Sequence, residues 1–587
     1  MRNSRFIGAK RPARECLRMD WLGVPAIALV LGTLVMSGSA RNPDSGWRVH
    51  QGESPISPVK LFGKRQLDSA SQNFNWTLVQ PSVNLTWTQC YGNFECARLA
   101  VPMDYSSPSD EQAAVAIVKY PSKIPPGQAG YLGPILFNPG GPGGSGVQMV
   151  LSSAQAFVEI LGNDFDLIGF DPRGIGFTTP GMFTFPSEPE EARISTAIQK
   201  AANETSGSFG RAFAEAQTIG KVAKARIPDI ARHVSTPTVA RDMLSIVKAF
   251  GQDKLQYWGF SYGSALGATF AAMFPDNVGR LIIDGVVDSV NYYEGKYAHD
   301  LRDTDKVLLS IYQACVDVGP SICPIYETTT DMINTRVNTL LDSLKIEPIS
   351  FYNDTSGEYG SLDYSAAKGA IFTVLYTPHQ TGAALTSALA LAEQGEGQPL
   401  FALSNRVASS SDYVCDCSAA PSTPFADGLE NTLAIACGDS DPSNGTLDDM
   451  KTLYAEIAQD SQFAEMWTIY LDCSGWQISA AERFSASFNT NTSFPILIIG
   501  NTADPVTPIA SARKMSQEFV GSVLLTQDSP GHTSTSASSN CTTKAVRDYF
   551  RDGKLPANGT VCSVESSIFG AITNATESSS AQRRSPS

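Results

Sequence analysis

The sequence predicts an α/β fold, with a mostly parallel sheet, helices on both faces and a large, mainly helical cap inserted before the last core strands. Three observations carry this expectation. From Ile117 onward short apolar runs alternate with helix-like stretches, the pattern of a parallel sheet covered on both sides. Several of those runs end in glycine-rich or acidic loops, the edge at which such sheets bind ligands. Between Asp288 and Phe494 the alternation stops, then resumes for the last strands.

The runs follow one another in a definite order. "PILFN" (134–138) leads into a glycine-rich loop, and "FDLIGFD" (165–171) into Pro172-Arg173-Gly174. "LQYWGF" (255–260) precedes a G-x-S-x-G stretch, and "LIIDGVVD" (281–288) comes one helix later. "FPILIIGNTADP" (494–505) resumes the pattern, and "VLLTQDSPGH" (523–532) closes it. The expected organisation is a signal segment at 1–40, a linker at 41–75 and the first part of the core at 76–288. The cap follows at 289–493, the second part of the core at 494–567 and a polar, disordered tail at 568–587.

A chain of 587 residues with 42% hydrophobic content is long enough to bury a large core. A formal charge of −15 argues against nucleic acid or an anionic membrane as a partner. Arg2, Arg5, Lys10, Arg11, Arg14 and Arg18 precede an apolar run from Trp21 to Met36, and Ser37-Gly38-Ser39-Ala40 offers a cleavage site after Ala40. That is a secretory signal pattern. The alternative is an uncleaved signal anchor, although a 16-residue run holding Pro25 is short for a span needing about 20. Either way the remaining chain lies outside the cytosol, since the basic side stays in. Lys64-Arg65 reads equally as a processing site for a short propeptide or as an exposed linker pair.

Nine N-x-S/T sequons, at Asn75, Asn84, Asn203, Asn353, Asn444, Asn491, Asn540, Asn558 and Asn574, fit the same compartment. So do the cysteines. Cys16 precedes the apolar run, and the other ten form an even set. Proximity favours Cys90–Cys96, Cys315–Cys323 and Cys541–Cys562, with Cys437–Cys473 next. Cys415 and Cys417 are left, and a C-x-C bridge would be strained. No His stands at ligand spacing from these cysteines, so a zinc site is not expected.

Gly259-Phe260-Ser261-Tyr262-Gly263 follows an apolar strand and opens a helix rich in small residues. A serine hydroxyl attacks a carbonyl only when a base takes its proton and a sharp turn presents it, and glycines on either side permit that turn. Of the five histidines, His50 and His233 precede the serine, and His299 and His379 fall in the cap. His532 alone follows a late strand, on a glycine-flanked loop, and is the expected base. Asp504 ends the strand before it and is the expected acid, orienting the imidazole and stabilising its charged form. Asp528 is the second choice, and Asp284 and Asp288 read as helix caps. The oxyanion needs two backbone N–H groups. Tyr262 supplies one, and the loop Asn138–Gly146 the other, with Gly141 favoured over Gly140. That loop lacks the spacing of a phosphate-binding loop. Asp171 and Arg173 are expected to pair and brace the loop beneath the site.

"NPGGPGGSG", "DLIGFDPRGIGFTTP", "YWGFSYGS", "NTADPVTP" and "GHTS", in that order, resemble the tripeptidyl aminopeptidase-like branch of the α/β-hydrolases, relatives of proline iminopeptidase. The resemblance runs from about Trp87 to Cys562. It implies Ser261, Asp504 and His532 as a triad, a helical cap and exopeptidase activity at free N-termini, with no metal or organic cofactor. Proline iminopeptidases carry His-Gly-Gly-Pro where this chain has Pro139-Gly140-Gly141-Pro142, so narrow proline specificity is not implied. The expected protein is a secreted serine hydrolase acting on a peptide or small ester. A carboxylesterase or lipase with the same triad is the enzymatic alternative, and a binding protein on an inactive hydrolase scaffold the other. An aminopeptidase also needs a carboxylate for the substrate ammonium, which the sequence does not single out.

Overall fold

The computed structural model describes residues 74–107, 111–185, 201–355, 357–404, 429–440 and 445–570. The signal segment, Lys64-Arg65, Cys415, Cys417, Asn444, Asn574 and the tail beyond Gly570 lie outside the described residues.

Ten strands form one sheet in the order β1-β2-β3-β5-β4-β6-β7-β10-β11-β12. They are β1 (Thr88–Cys90), β2 (Phe94–Pro102), β3 (Gln112–Tyr120), β4 (Pro134–Asn138), β5 (Asp166–Phe170), β6 (Leu255–Phe260) and β7 (Val278–Asp284), then β10 (Leu497–Ala503), β11 (Val523–Pro530) and β12 (Val561–Ser563). The three N-terminal pairings are antiparallel and the rest parallel. Residues of β4 and β5 are buried along their whole length, which is why these strands read as unbroken apolar runs rather than alternating ones.

Helices α1 (Gly146–Leu161) and α10 (Asn540–Asp552) pack on one face. The other face receives α3 (Thr236–Ala249), α4 (Tyr262–Met273) and α9 (Ile509–Glu518), and its apolar core runs on into the inserted region. Among the described residues between β7 and β10 the regular elements are helices apart from a small hairpin, β8 (Ile349–Tyr352) and β9 (Tyr359–Leu362). Four inserted helices matter below: α5 (Tyr364–Val374), α6 (Pro378–Ala392), α7 (Leu429–Asp439) and α8 (Ile469–Gly475).

One helix of this region comes from elsewhere in the chain. α2 (Ser208–Arg226) lies between β5 and β6 yet packs against α8. A Cβ at Gly220 would fall 1.7 Å from Gly475 O, so the two backbones touch where both residues are glycine. Ile568, assigned from sequence to the start of the tail, is instead buried against Gly382 of α6.

Among the described residues there are four disulfides. Cys90–Cys96 ties β1 to β2, Cys315–Cys323 closes the end of the helix Thr304–Val318, Cys437–Cys473 joins α7 to α8, and Cys541–Cys562 joins α10 to β12. Each limits the unfolded chain, an effect of about 2–4 kcal/mol per bridge. Among the described residues no helix is long and apolar enough to cross a membrane.

Candidate active site

The strand ends bring the singled-out residues to one edge. Asn138 pairs with Gly259, Phe260 with Asp284, Asp284 with Ile499, and Ala503 with Pro530. The residues just past these positions, Gly140, Ser261, Asp504 and His532, therefore share the C-terminal edge of the parallel strands.

Ser261 has φ 56° and ψ −126°, a conformation a non-glycine residue adopts only when its surroundings impose it. The surroundings are tight. A Cβ at Gly259 would lie 2.2 Å from Gly263 O, and one at Gly263 would lie 2.6 Å from Asn138 O. The Ser261 N–H donates to Asp284 O (2.9 Å), fixing the turn to β7. The next residue, Tyr262, starts α4, so its N–H has no partner inside the helix. Gly140 N–H donates to Asn138 Oδ1 (3.0 Å). Gly140 is thus committed to its own strand end, while no described group accepts from Gly141 or Tyr262 N–H.

His532 Nδ1 lies 2.9 Å from Asp504 Oδ1 and 3.0 Å from Oδ2. Asp504 is fully buried and accepts from the N–H groups of Val506, Thr507 and Thr533. Three backbone N–H donors therefore satisfy this buried carboxylate beside the imidazole. Asp528, the second choice for the acid, accepts from Thr502 Oγ1 instead. Asn501 Nδ2 donates to Gly531 O and Thr533 O, both at 2.7 Å, and holds the histidine loop from beneath.

The inserted region closes on this edge. His532 N–H donates to Tyr376 O (2.9 Å), and the Tyr376 ring meets the imidazole edge-on at 5.0 Å. Thr432 of α7 donates to Pro142 O (2.6 Å) in the glycine-rich loop. The Tyr262 phenol hydrogen-bonds with Thr236 Oγ1, which donates to Asp439 at the end of α7, as does Tyr292. Burial pushes Asp439 up to about 6.

Asp171 and Arg173 do not pair. Arg173 forms a two-pronged ion pair with Asp242 of α3 (2.6 and 2.8 Å) and donates to Pro102 O and Met103 O. Asp171 accepts from Ser145 Oγ and Val147 N–H at the start of α1, and from Phe177 N–H. The carboxylate serves a helix N-terminus, where negative charge is favoured. Sequence alone also missed Asn138, Asn501 and Tyr376, whose roles depend on contacts across the fold.

Of the chain, residues 133–317 match the family described as alpha/beta hydrolase fold, and residues 460–562 match the one described as TAP-like protein. With the sheet and the strand-edge site, this gives the protein the α/β-hydrolase fold, and its enzymatic class is that of the serine hydrolases. Within that superfamily it resembles the tripeptidyl aminopeptidase-like branch. The serine protease Hip1 of Mycobacterium tuberculosis is 27% identical over 92% of this chain and 97% of its own length. The tripeptidyl aminopeptidase of Streptomyces lividans is 25% identical over 81% and 86%. Carboxylesterase B of Mycobacterium tuberculosis is 26% identical over 87% and 96%.

Proposed function

We propose that the protein is a secreted aminopeptidase that removes short peptides or single residues from free N-termini through an acyl-enzyme. One observation carries the chemistry: His532, oriented by buried Asp504, shares a strand edge with Ser261 on its constrained turn. In this reading His532 takes the Ser261 proton as Oγ attacks the peptide carbonyl. The N–H groups of Tyr262 and Gly141 receive the oxyanion. The imidazolium then protonates the leaving amine, the acyl–serine ester remains, and water activated by the same base releases the N-terminal fragment.

Two cap carboxylates favour peptides with a free amine over esters. Asp300 accepts from Trp467 Nε1 (3.2 Å) and Asp472 from Thr468 Oγ1 (3.3 Å), so they flank one short stretch of chain. Trp467 packs on Phe372, Phe372 on Tyr376, and Tyr376 on His532. Among the described residues neither carboxylate has a cationic partner, and burial pushes them up to about 8 and about 7. A substrate ammonium would supply the missing charge.

The test compares wild type with Ser261→Ala on peptide anilides with free and blocked N-termini and on short acyl esters. Ser261→Ala should lower turnover by on the order of 10⁴ or more, and blocked peptides should be poor substrates. An active Ser261→Ala overturns the mechanism. Equal rates on blocked peptides, or faster ester cleavage, would instead favour the carboxylesterase reading that the likeness to carboxylesterase B offers.

A further inference from the structure

A second buried carboxylate lies behind the site. Asp284 ends β7 and is fully buried. Its Oδ1 accepts from Ser534 N–H (2.8 Å), and its Oδ2 from Ser534 Oγ–H (2.5 Å) and Trp258 Nε1–H (3.3 Å). Its backbone oxygen accepts from Ser261 N–H (2.9 Å). One residue therefore touches the nucleophile's own peptide and the loop that carries the base.

That loop needs an external hold. Thr533, between His532 and Ser534, has φ 64°, a region that β-branched residues avoid. Asp504 accepts from its N–H on one side, and Asp284 binds the next residue by both backbone and hydroxyl. Gly285 completes the contact, since a Cβ there would lie 2.6 Å from Thr533 Cγ2.

We propose that Asp284 is a positioning residue for catalysis, setting His532 through Ser534 and Thr533 while its carbonyl holds the turn of Ser261. The inference rests on the assignment of Ser261 and His532 above. Its two N–H donors and the Ser534 hydroxyl suit an ionised carboxylate. Burial pushes Asp284 up to about 6, so protonation near that pH turns the Ser534 hydroxyl from donor to acceptor, weakens the charge-assisted hold and loosens the histidine loop. The titratable groups facing it are Asp504, beyond β10, and His532, two residues from Ser534.

The experiment uses the full chain and three readouts: kcat and KM on a free peptide anilide, the rate at which a fluorophosphonate labels Ser261, and the pH profile. Asp284→Asn keeps the shape but turns an N–H₂ toward donors. It should lower kcat and the labelling rate together by on the order of 10²-fold, with KM little changed. The acid limb of kcat/KM, steeper than one titration in wild type, should fall as a single titration in the variant. Ser534→Ala removes one donor only and should cost about tenfold. Wild-type labelling rates and an unchanged acid limb in both variants overturn the proposal. If Asp284→Asn does not fold, Ser534→Ala decides, and an unchanged rate and profile there overturn it. An active Ser261→Ala points instead to failure of the triad assignment. A dead Ser261→Ala beside a fully active Asp284→Asn removes this inference alone.

Discussion

A methyl group at Gly140 would lie 2.4 Å from Phe260 O and 2.8 Å from both Ser261 Cβ and Tyr262 N, at a φ of +92°. Nothing in that shell is a flexible side-chain end. Gly140→Ala must therefore push the Ser261 turn and the glycine-rich loop apart, separating the Gly141 and Tyr262 N–H groups that the proposed mechanism brings to a common oxyanion. Loss of one such donor costs on the order of 10²–10³ in kcat, and Gly140→Ala should fall in that range with KM less affected. A variant with wild-type kcat would show that this loop does not face the reacting carbonyl. The same residues explain what the sequence discloses. Ser261, His532 and Asp504, which the fold brings to one strand edge, are legible because the proposed chemistry demands a nucleophile, base and acid in one chain order, and few histidines compete. Asp284 is visible as a strand-ending acid, but its partners lie at Trp258 and Ser534, and a helix cap is the simpler reading of the letters. Arg173 is misread for a related reason, since Asp242 is distant in sequence and Asp171 adjacent.

The turn between α5 and α6 lies on the loop that carries the base. Tyr376 O accepts from His532 N–H, the Tyr376 ring rests edge-on against the imidazole, His379 Nε2 pairs with Ser529 Oγ, and Gln380 Nε2 donates to Ser536 O. A cap that grips the base can transmit its own displacement to catalysis. An edge-on ring pair is worth about 0.5–1.5 kcal/mol, so Tyr376→Ala should lower kcat by up to about tenfold. Tyr376→Phe, which keeps the ring, should stay near wild type. Stopped-flow acylation with an activated substrate separates this from slower product release, and an unaltered acylation rate in Tyr376→Ala would dismiss the coupling. Elements were the most legible level for the central strands. "PILFN" and "LQYWGF" coincide with β4 and β6 because the first is buried throughout, the second at all but Gln256, and both are bounded by glycine or turn residues. The inserted region was legible only as a break in the alternation. Its contact with α2 was not, because two glycines touching across the fold leave no periodic trace.

Across the whole molecule four buried or half-buried carboxylates set how stability responds to pH. Asp300 is pushed up to about 8, Asp472 to about 7, and Asp284 and Asp439 to about 6, each chiefly by burial. In an unfolded chain all four would release their protons near pH 4. Between that pH and their folded values the native state holds more protons, so stability falls as pH rises through the window. Two half-buried histidines oppose this in the lower part. Burial lowers His233 and His379, so they favour the unfolded chain below about 6.5 and become neutral in both states above it. From about pH 6.5 to about pH 8.5 Asp472 and Asp300 therefore act unopposed by these histidines, and growing self-repulsion of a chain at −15 has the same sign. The melting temperature should be lower at about pH 8.5 than at about pH 6.5, and Asp300→Asn should flatten the slope. A wild-type profile flat across that window would mean that water or counter-ions already satisfy Asp300. The same titration bears on substrate recognition. If Asp300 and Asp472 receive the substrate ammonium, KM for free peptides should fall as pH rises toward 8, until the amine itself deprotonates. Esters without an amine should show no such trend. The pH that loosens the empty protein is then the pH that charges its binding site, so saturating free peptide should restore part of the lost melting temperature at about pH 8.5, and a blocked peptide should not.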